Sequence, residues 1–359
     1  MEKNKIVLEY IWIDADNELR SKTRILSAEN FDSMLDNFPQ WTFDGSSTDQ
    51  ASGSISDIIL KPIKAVNNPF VKYTESYLVL CECYEKCGKI PAKNNNRFEC
   101  DKLAFVDKDS FLFGIEQEYV IFDKLTCLPY KWENESIPSY YSPLNGFYCS
   151  VGGQRTFGRH IVDEHLQLCL EAGLTICGTN AEVMASQWEF QIGPCHPRQV
   201  CDELWLARYI LQRITEKYNC FVSFHPKPFG PDWPGSGAHT NFSTWQMRNK
   251  EGILYIIDAC EKLRKTHNEC IAVYGKYNEQ RLTGKNETAN INEYTYGIGD
   301  RNASIRIPLH VANNRCGYIE DRRPGANIDP YLVVTAIMKS LQENNEPEYD
   351  NDSGYDSYS

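Results

Sequence analysis

No run of about 18 apolar residues occurs in the 359-residue chain, so no segment reads as a membrane-spanning helix. Basic residues are in deficit. Against 49 Asp and Glu there are 37 Lys and Arg, a net charge of −12, which argues against a nucleic-acid binder, whose usual footprint is a basic patch. The chain also lacks a G-x-x-x-x-G-K-[ST] phosphate loop and a G-x-G-x-x-G motif after a strand. Any nucleotide site must then rest on cations and arginines. No internal repeat is present, and Met1 is followed by Glu-Lys-Asn-Lys, not by an apolar leader core. What remains is the profile of a globular protein, 42% hydrophobic and 24% charged, expected in the cytoplasm with no membrane and no nucleic acid among its partners.

Cysteine is not scarce. The 14 Cys are scattered and are read as reduced thiols. Cys81, Cys83, Cys87 and Cys100 cluster, but their spacing is not one of the usual structural-zinc patterns, and buried small hydrophobes are the better reading.

The length predicts two domains. Residues from about 6 to 110 read mostly as β, with strands over Ile6–Asp14 and Ser76–Tyr84, and the polar stretch Pro91–Arg97 breaks the pattern. Further on, helical spacing covers Phe157–Ala172, stopped by Gly173, and Asp202–Tyr218, where Leu204, Ala207, Leu211 and Ile214 form one stripe. Helices are also expected over Leu254–Tyr274 and Asp329–Leu341, the last opened by an Asp329–Pro330 cap. Strands are expected at Gln187–Ile192 and Ala303–Ile307. Helices and strands do not alternate strictly, so an α+β arrangement is favoured. The expected division is 1–100, 101–342 and a tail at 343–359, acidic, Asn-rich and read as disordered.

The chemistry starts at Phe113–Phe122. Glu116 and Glu118 lie two apart in an aromatic, β-branched run, and residues two apart on a strand share a face. Burying two carboxylates side by side costs several kcal/mol unless a cation lies between them; the alternative is an exposed edge face. Glu182 and Glu189 flank Met184–Gln187. As a hairpin with that four-residue connection, they stand directly opposite each other, which again calls for a cation; otherwise Glu182 lies in a loop. His239, after Gly235-Ser236-Gly237-Ala238, gains meaning only beside these carboxylates, because one imidazole with several carboxylates suits Mg2+ or Mn2+. Late in the chain come Arg281, Arg301, Arg306, Arg315, Arg322 and Arg323, with Glu320 and Arg322 in strand register. Surface charge accounts for Arg315 but less well for Arg306. Carboxylates for metals and arginine forks for anions fit phosphoryl transfer from a nucleotide.

These runs resemble the eukaryotic-type (type II) glutamine synthetases. The resemblance is carried by Glu9–Asp14, Leu19–Lys22, Trp41–Thr48, Gly114–Tyr119, Gln187–Pro194, Gly237–Asn241, Arg281–Gly284 and Gly317–Pro324, in family order over about residues 6 to 340. It implies a small N-terminal β-grasp domain, then a catalytic domain whose curved antiparallel sheet is lined by acidic residues. It also implies stacked rings, decameric in this type, with active sites between neighbouring subunits. By resemblance, Glu116, His239 and Glu320 hold the metal that bridges ATP phosphates, and Glu118, Glu182 and Glu189 hold the metal near glutamate. Arg301 and Arg306 contact phosphate. Arg322 lies near the transferred phosphoryl and the substrate, Arg281 holds the α-carboxylate, and Asp232 and Trp233 belong to the substrate loop. Asn241, Phe242, Ser243 and Tyr318 contact the nucleotide, with Glu116 and Glu189 beside it. Glu287 is the flap glutamate and Asp44 the base that deprotonates ammonium. The implied activity is ATP-dependent ligation of ammonia to glutamate through γ-glutamyl phosphate. The alternatives are a non-catalytic assembly protein on this fold and a γ-glutamyl ligase for a larger amine. The chain departs from the family's usual residues at Pro234, Asn286, Leu112 and Ser150; none is a metal ligand or a phosphate-contacting arginine by this matching.

Overall fold

A computed structural model describes residues 5–29, 31, 33–105, 110–132 and 146–342. The expected disordered tail, 343–359, lies outside these residues.

Strands β1 (Lys5–Ile13), β2 (Leu19–Ser27), β3 (Trp41–Asp44), β4 (Asp57–Asn67) and β5 (Ser76–Tyr84) form one sheet in the order β2-β1-β5-β4-β3. β1 and β5 run parallel and the other pairs antiparallel. This is the β-grasp domain. The alternation of β1 sends Leu8, Tyr10 and Trp12 into the domain's own core with Cys81 and Cys83 of β5. Ile11, Leu78 and Leu80 on the other face join the larger core of the following domain, as does Cys100. The clustered cysteines thus divide between two cores, and Cys87 is exposed. Polar bonds pin the same junction. Lys64 bonds Glu203 at 2.9 Å, Arg97 bonds Asp202 at 2.8 Å, and Arg213 and the Tyr209 hydroxyl both bond Glu9.

α1 (Arg97–Phe105) leads to β6 (Leu112–Asp123), followed by α2 (Arg159–Ala172), β7 (Ile176–Ala181), β8 (Gln187–Cys195), α3 (Pro197–Thr215), β9 (Cys220–Ser223) and β10 (Ala238–Ser243). Then come α4 (Trp245–Arg248), α5 (Ile253–Lys265), α6 (His267–Ile271), β11 (Tyr296–Ile298), β12 (Ile305–Ile307), α7 (Leu309–Asn314), β13 (Ile319–Asp321) and α8 (Pro330–Gln342). The second sheet runs β11-β12-β13-β10-β6-β8-β7, with β9 also on β6. It is antiparallel, as the resemblance implies, apart from its edge pair β11–β12, which is parallel. α3 lies against β6, β8 and β9, with α1, α2 and α8 packed on it, so helices cover one face of the sheet.

Helix ends follow local chemistry. α2 stops at Gly173, whose left-handed backbone lets its N–H bond the carbonyls of Cys169 and Leu170. α8 starts where Asp329 Oδ1 accepts the Tyr331 N–H at 3.0 Å. α3 begins earlier than its stripe suggested, at Pro197, and ends at Thr215; it is buried on nearly all sides, so the stripe marked only part of the apolar surface. The stretch expected as one helix to Tyr274 is two. Thr266 breaks it with a non-helical backbone, its hydroxyl donating to Ser340 Oγ at 2.6 Å. Among the described residues, no helix is long and apolar enough to cross a membrane.

Candidate active site

The uncovered face of the second sheet carries the charges, and its register explains how residues far apart in sequence meet. Each strand gives that face every second residue. One row across the sheet reads Arg306, Glu320, Asn241, Gly114. The next reads His239, Glu116, Gln191, Gly178. The third reads Glu118, Glu189, Asn180.

Glu182 sits just beyond β7, and here the hairpin corrects the expectation. The Glu182 N–H donates to the Gln187 carbonyl at 2.9 Å, so Glu182 faces Gln187, and Glu189 faces Asn180. The connection is Val183–Ser186. Ser186 takes a left-handed φ of 56°, and Gln187 Oε1 accepts the Met184 N–H at 3.1 Å, which slides the register by one residue on each strand. Glu182 and Glu189 therefore meet as diagonal neighbours on one face.

Two groups of ligand atoms result. In each, one atom per residue lies within 4.8 Å of the others: Glu116, His239 and Glu320 in one, Glu118, Glu182 and Glu189 in the other. His239 Nδ1 is 3.5 Å from both Glu116 Oε2 and Glu320 Oε1. Burial, and then Arg322, push this imidazole well below its usual pKa, so it is neutral, the form that can ligate a cation. The second group has three carboxylates and weak local compensation. Glu118 accepts the Gly237 N–H at 2.5 Å, Glu182 bonds Asn180 at 2.9 Å and Glu189 bonds Gln191 at 2.7 Å. Desolvation raises Glu118 to about 7 against the pull of Arg281. Desolvation and Glu118 raise Glu182 to about 8; desolvation and the neighbouring Glu116, Glu118 and Glu182 raise Glu189 to about 9. Three carboxylates in one buried spot cannot all ionise without positive charge. The donor sets are hard, oxygens with a single imidazole, and fit Mg2+ or Mn2+.

Glu116, Glu118, Glu182, Glu189, His239, Arg281, Glu287, Arg301, Arg306, Glu320 and Arg322 line one cleft of about 760 Å³. Arg306 and Arg322 each donate to Glu320, at 2.8 and 2.6 Å, while the buried Arg306 Nε has no partner, a donor free for an anion. Arg281 is buried, with Nη2 3.2 Å from His239 Nε2 and 3.0 Å from the Arg322 carbonyl. Gly237 makes room for it, since a Cβ there would collide with the guanidinium. Arg322 Nη2 reaches the Glu287 carbonyl at 3.3 Å. Beside the cleft, and sharing Glu116 and Gln191 with it, a largely apolar pocket of about 420 Å³ is lined by Phe113, Ile192, Pro194, Asn241, Phe242, Ser243 and Tyr318.

Three expected residues do not line this chain's cleft. Asp232 is exposed, and Trp233 packs on Phe229 and Trp132, touching the cleft's surroundings through its carbonyl, which Asn286 Nδ2 approaches at 3.4 Å. Asp44 ends β3 in the N-terminal domain and is exposed. Hydrogen bonds from Ser56 and Ser46 lower its pKa to about 2. Conversely, Asn180, Gln191 and Tyr148 line the cleft without having been singled out. Asn180 and Gln191 were legible in principle, each two residues from a candidate glutamate.

The catalytic-domain model of glutamine synthetase matches residues 99–343, and the glutamine synthetase beta-grasp domain model matches residues 4–86. The chain is 48% identical to the glutamine synthetase of Kluyveromyces lactis over 338 residues, 94% of this chain and 88% of that protein. It is 48% identical to that of Schizosaccharomyces pombe over 344 residues, 95% and 93% of the two chains. With that of Saccharomyces cerevisiae it shares 47% over 338 residues, 94% and 89%. The β-grasp domain, the acidic sheet face and these matches agree: the chain belongs to the glutamine synthetase family, of the eukaryotic type.

Proposed function

We infer that this chain catalyses ATP-dependent ligation of ammonia to L-glutamate, giving L-glutamine, ADP and phosphate through γ-glutamyl phosphate. The observation that carries this reading is the pair of hard-donor clusters fed by one strand, Glu116 to one and Glu118 to the other, in a cleft walled by arginines.

Glu116, His239 and Glu320 would hold the cation that meets the ATP phosphates; Glu118, Glu182 and Glu189 would hold the one beside glutamate. Bound Mg2+ or Mn2+ would neutralise phosphate oxygens and act as a Lewis acid. The apolar pocket with Asn241, Phe242, Ser243 and Tyr318 suits a flat purine ring, and its continuity through Glu116 points the phosphates at Arg301 and Arg306, whose Nε is unpartnered. Arg281 offers its buried guanidinium to the substrate α-carboxylate, with Asp232 and Trp233 shaping the loop above it. Arg322 stands between Glu320 and the Glu287 carbonyl, placed to stabilise the phosphoryl group in transfer.

In the first step a side-chain carboxylate oxygen of glutamate bonds the γ-phosphorus of ATP as the bridging P–O bond breaks and ADP leaves. Ammonium then gives a proton to Asp44, ammonia adds to the acyl carbon, and phosphate departs with the carboxylate oxygen. Glu287 shields the acyl phosphate from water. Asp44 is exposed and does not line this chain's cleft, which supports its serving the cleft of a neighbouring copy, in the stacked rings, a decamer, that the resemblance implies. Fourteen free thiols support a cytoplasmic location.

Purified protein supplied with glutamate, ammonium, ATP and Mg2+ or Mn2+ forms glutamine and phosphate in equal amounts. Absence of both products with either ion sinks this reading.

A further inference from the structure

The Glu287 loop leaves β13's neighbourhood at Arg281 and returns at Ile291. Its root is closed by the Thr283–Asn290 bridge and by the Ile291 N–H donating to the Leu282 carbonyl at 2.9 Å. Asn286 and Glu287 both hold left-handed backbones, φ 54° and 58°, a conformation that is strained for residues other than glycine. Such a loop keeps its shape only if its contacts over-determine it. At the tip, Arg322 donates to the Glu287 carbonyl, and Thr288 Oγ1 donates to the carbonyls of Lys285 and Arg281.

The root is held from behind the sheet. β13 and the two residues that follow it turn Glu320 and Arg322 to the cleft, while Asp321 and Arg323 pair with each other on the other side. Arg323, 1% exposed, forms a two-pronged pair with Asp321 at 2.9 and 2.7 Å, and Tyr274 adds a bond to Asp321 at 2.8 Å. The remaining Arg323 Nη1 lies 3.0 Å from His267 Nδ1. Arginine has donors only, so Nδ1 accepts and the ring proton sits on Nε2. That nitrogen is 2.9 Å from the Ile291 carbonyl and donates to it. The ring is fixed in place against Tyr294. β13 and the residues just after it thus grip the loop twice, at its tip through Arg322 and at its root through Arg323 and His267.

We propose that His267 is a positioning residue that couples ATP use to glutamine formation by anchoring the root of the Glu287 loop to β13. The proposal rests on the ligase reading, because the loop matters only if an acyl phosphate must be kept from water. Loss of the anchor lets the loop open, and water takes the place of ammonia at the acyl carbon, returning glutamate and phosphate.

The test compares three variants with wild type. His267→Gln keeps an acceptor for Arg323 and a donor for Ile291 at the separation of the two ring nitrogens. His267→Asn can set its carbonyl at the Nδ1 position, so Arg323 is not left unpaired, but its shorter amide leaves the Nε2 position, and so the Ile291 carbonyl, without a donor. His267→Phe keeps the ring and loses both bonds. The readout is phosphate released per glutamine formed at saturating ammonium, where wild type gives one. The expected result is a ratio raised about threefold or more in His267→Asn and His267→Phe, and near one in His267→Gln. Hydrogen exchange of segment 282–293 is expected to speed up in the same two variants. A ratio of one in His267→Asn overturns the proposal even if its rate falls, and so does unchanged exchange of that segment. If His267→Phe does not fold, His267→Asn carries the test alone. Should wild type form no glutamine, the ligase reading fails, and the exchange data still judge the anchor.

Discussion

Replacing Glu189 with Gln should stabilise the metal-free protein and weaken it as a metalloprotein. Glu189 is 4% exposed, and its carboxyl is raised from 4.5 to about 9 by desolvation and by Glu116, Glu118 and Glu182. A raised folded pKa means stability that is complete below the unfolded value and is lost as pH rises through the folded one. At about 1.4 kcal/mol per unit, the span from the unfolded value to pH 8 corresponds to a loss of about 5 kcal/mol if Glu189 carried it alone. The proton is shared with Glu118 and Glu182, so one substitution should recover ~2 kcal/mol at pH 8 and almost nothing near pH 5. Mg2+ reverses the order. At about 100 times the wild-type dissociation constant the ion adds about 2.7 kcal/mol, whereas binding weakened about a hundredfold leaves the mutant about 0.4 kcal/mol. Urea unfolding at pH 5 and pH 8, with chelator and with Mg2+, measures all of this. Equal stability of the two metal-free proteins at pH 8, or equal stabilisation of both by Mg2+, would refute the assignment of Glu189 to a cation site.

Further outcomes follow from the same geometry. Metal binding near pH 7 should release between about two and three protons, because Glu118, Glu182 and Glu189 titrate at about 7, 8 and 9 in the metal-free cleft; calorimetry in buffers of different ionisation enthalpy counts them, and a count of zero contradicts the cluster. Glu118→Gln should raise the metal concentration required for activity by about tenfold or more while leaving assembly intact, and a normal metal dependence removes it from the ligand set. Arg306→Gln should raise the KM for ATP by about tenfold and leave that for glutamate within about twofold; the reverse split contradicts its place on the phosphates. Asp44→Ala and Glu189→Gln chains, each inactive alone, should regain activity when co-expressed, because a mixed assembly places an intact Asp44 against an intact cleft; no recovery in mixed particles contradicts a site shared between copies.

Much of this site could be read before any coordinates. The β6 run shows its aromatic and β-branched surroundings, and alternation alone puts Glu116 and Glu118 on one face. The paired glutamates are buried or half-buried in the cleft, so the exposed-edge alternative does not hold. The hairpin register was less legible. Whether Glu182 faces Glu189 or Gln187 depends on the left-handed Ser186 and on a side-chain bond within the turn, features that hydrophobic patterning does not carry. The split between α5 and α6 turns on a Thr266 hydroxyl that finds Ser340 in a distant helix. Arg322 was placed at the site by resemblance, but not that its neighbour Arg323 locks His267 behind the sheet. That placement is set just past the three-residue β13, where Arg323 folds back on Asp321.

The central claim is that the cleft activates glutamate by moving the γ-phosphoryl group of ATP onto its side-chain carboxylate. It is tested most directly with glutamate carrying 18O in that carboxylate, by mass analysis of the phosphate released during turnover with ammonium, ATP and Mg2+. The mechanism predicts one 18O in each phosphate formed, delivered when ammonia displaces the acyl phosphate, and one 18O retained in each glutamine. Phosphate free of label, formed together with glutamine, would contradict it.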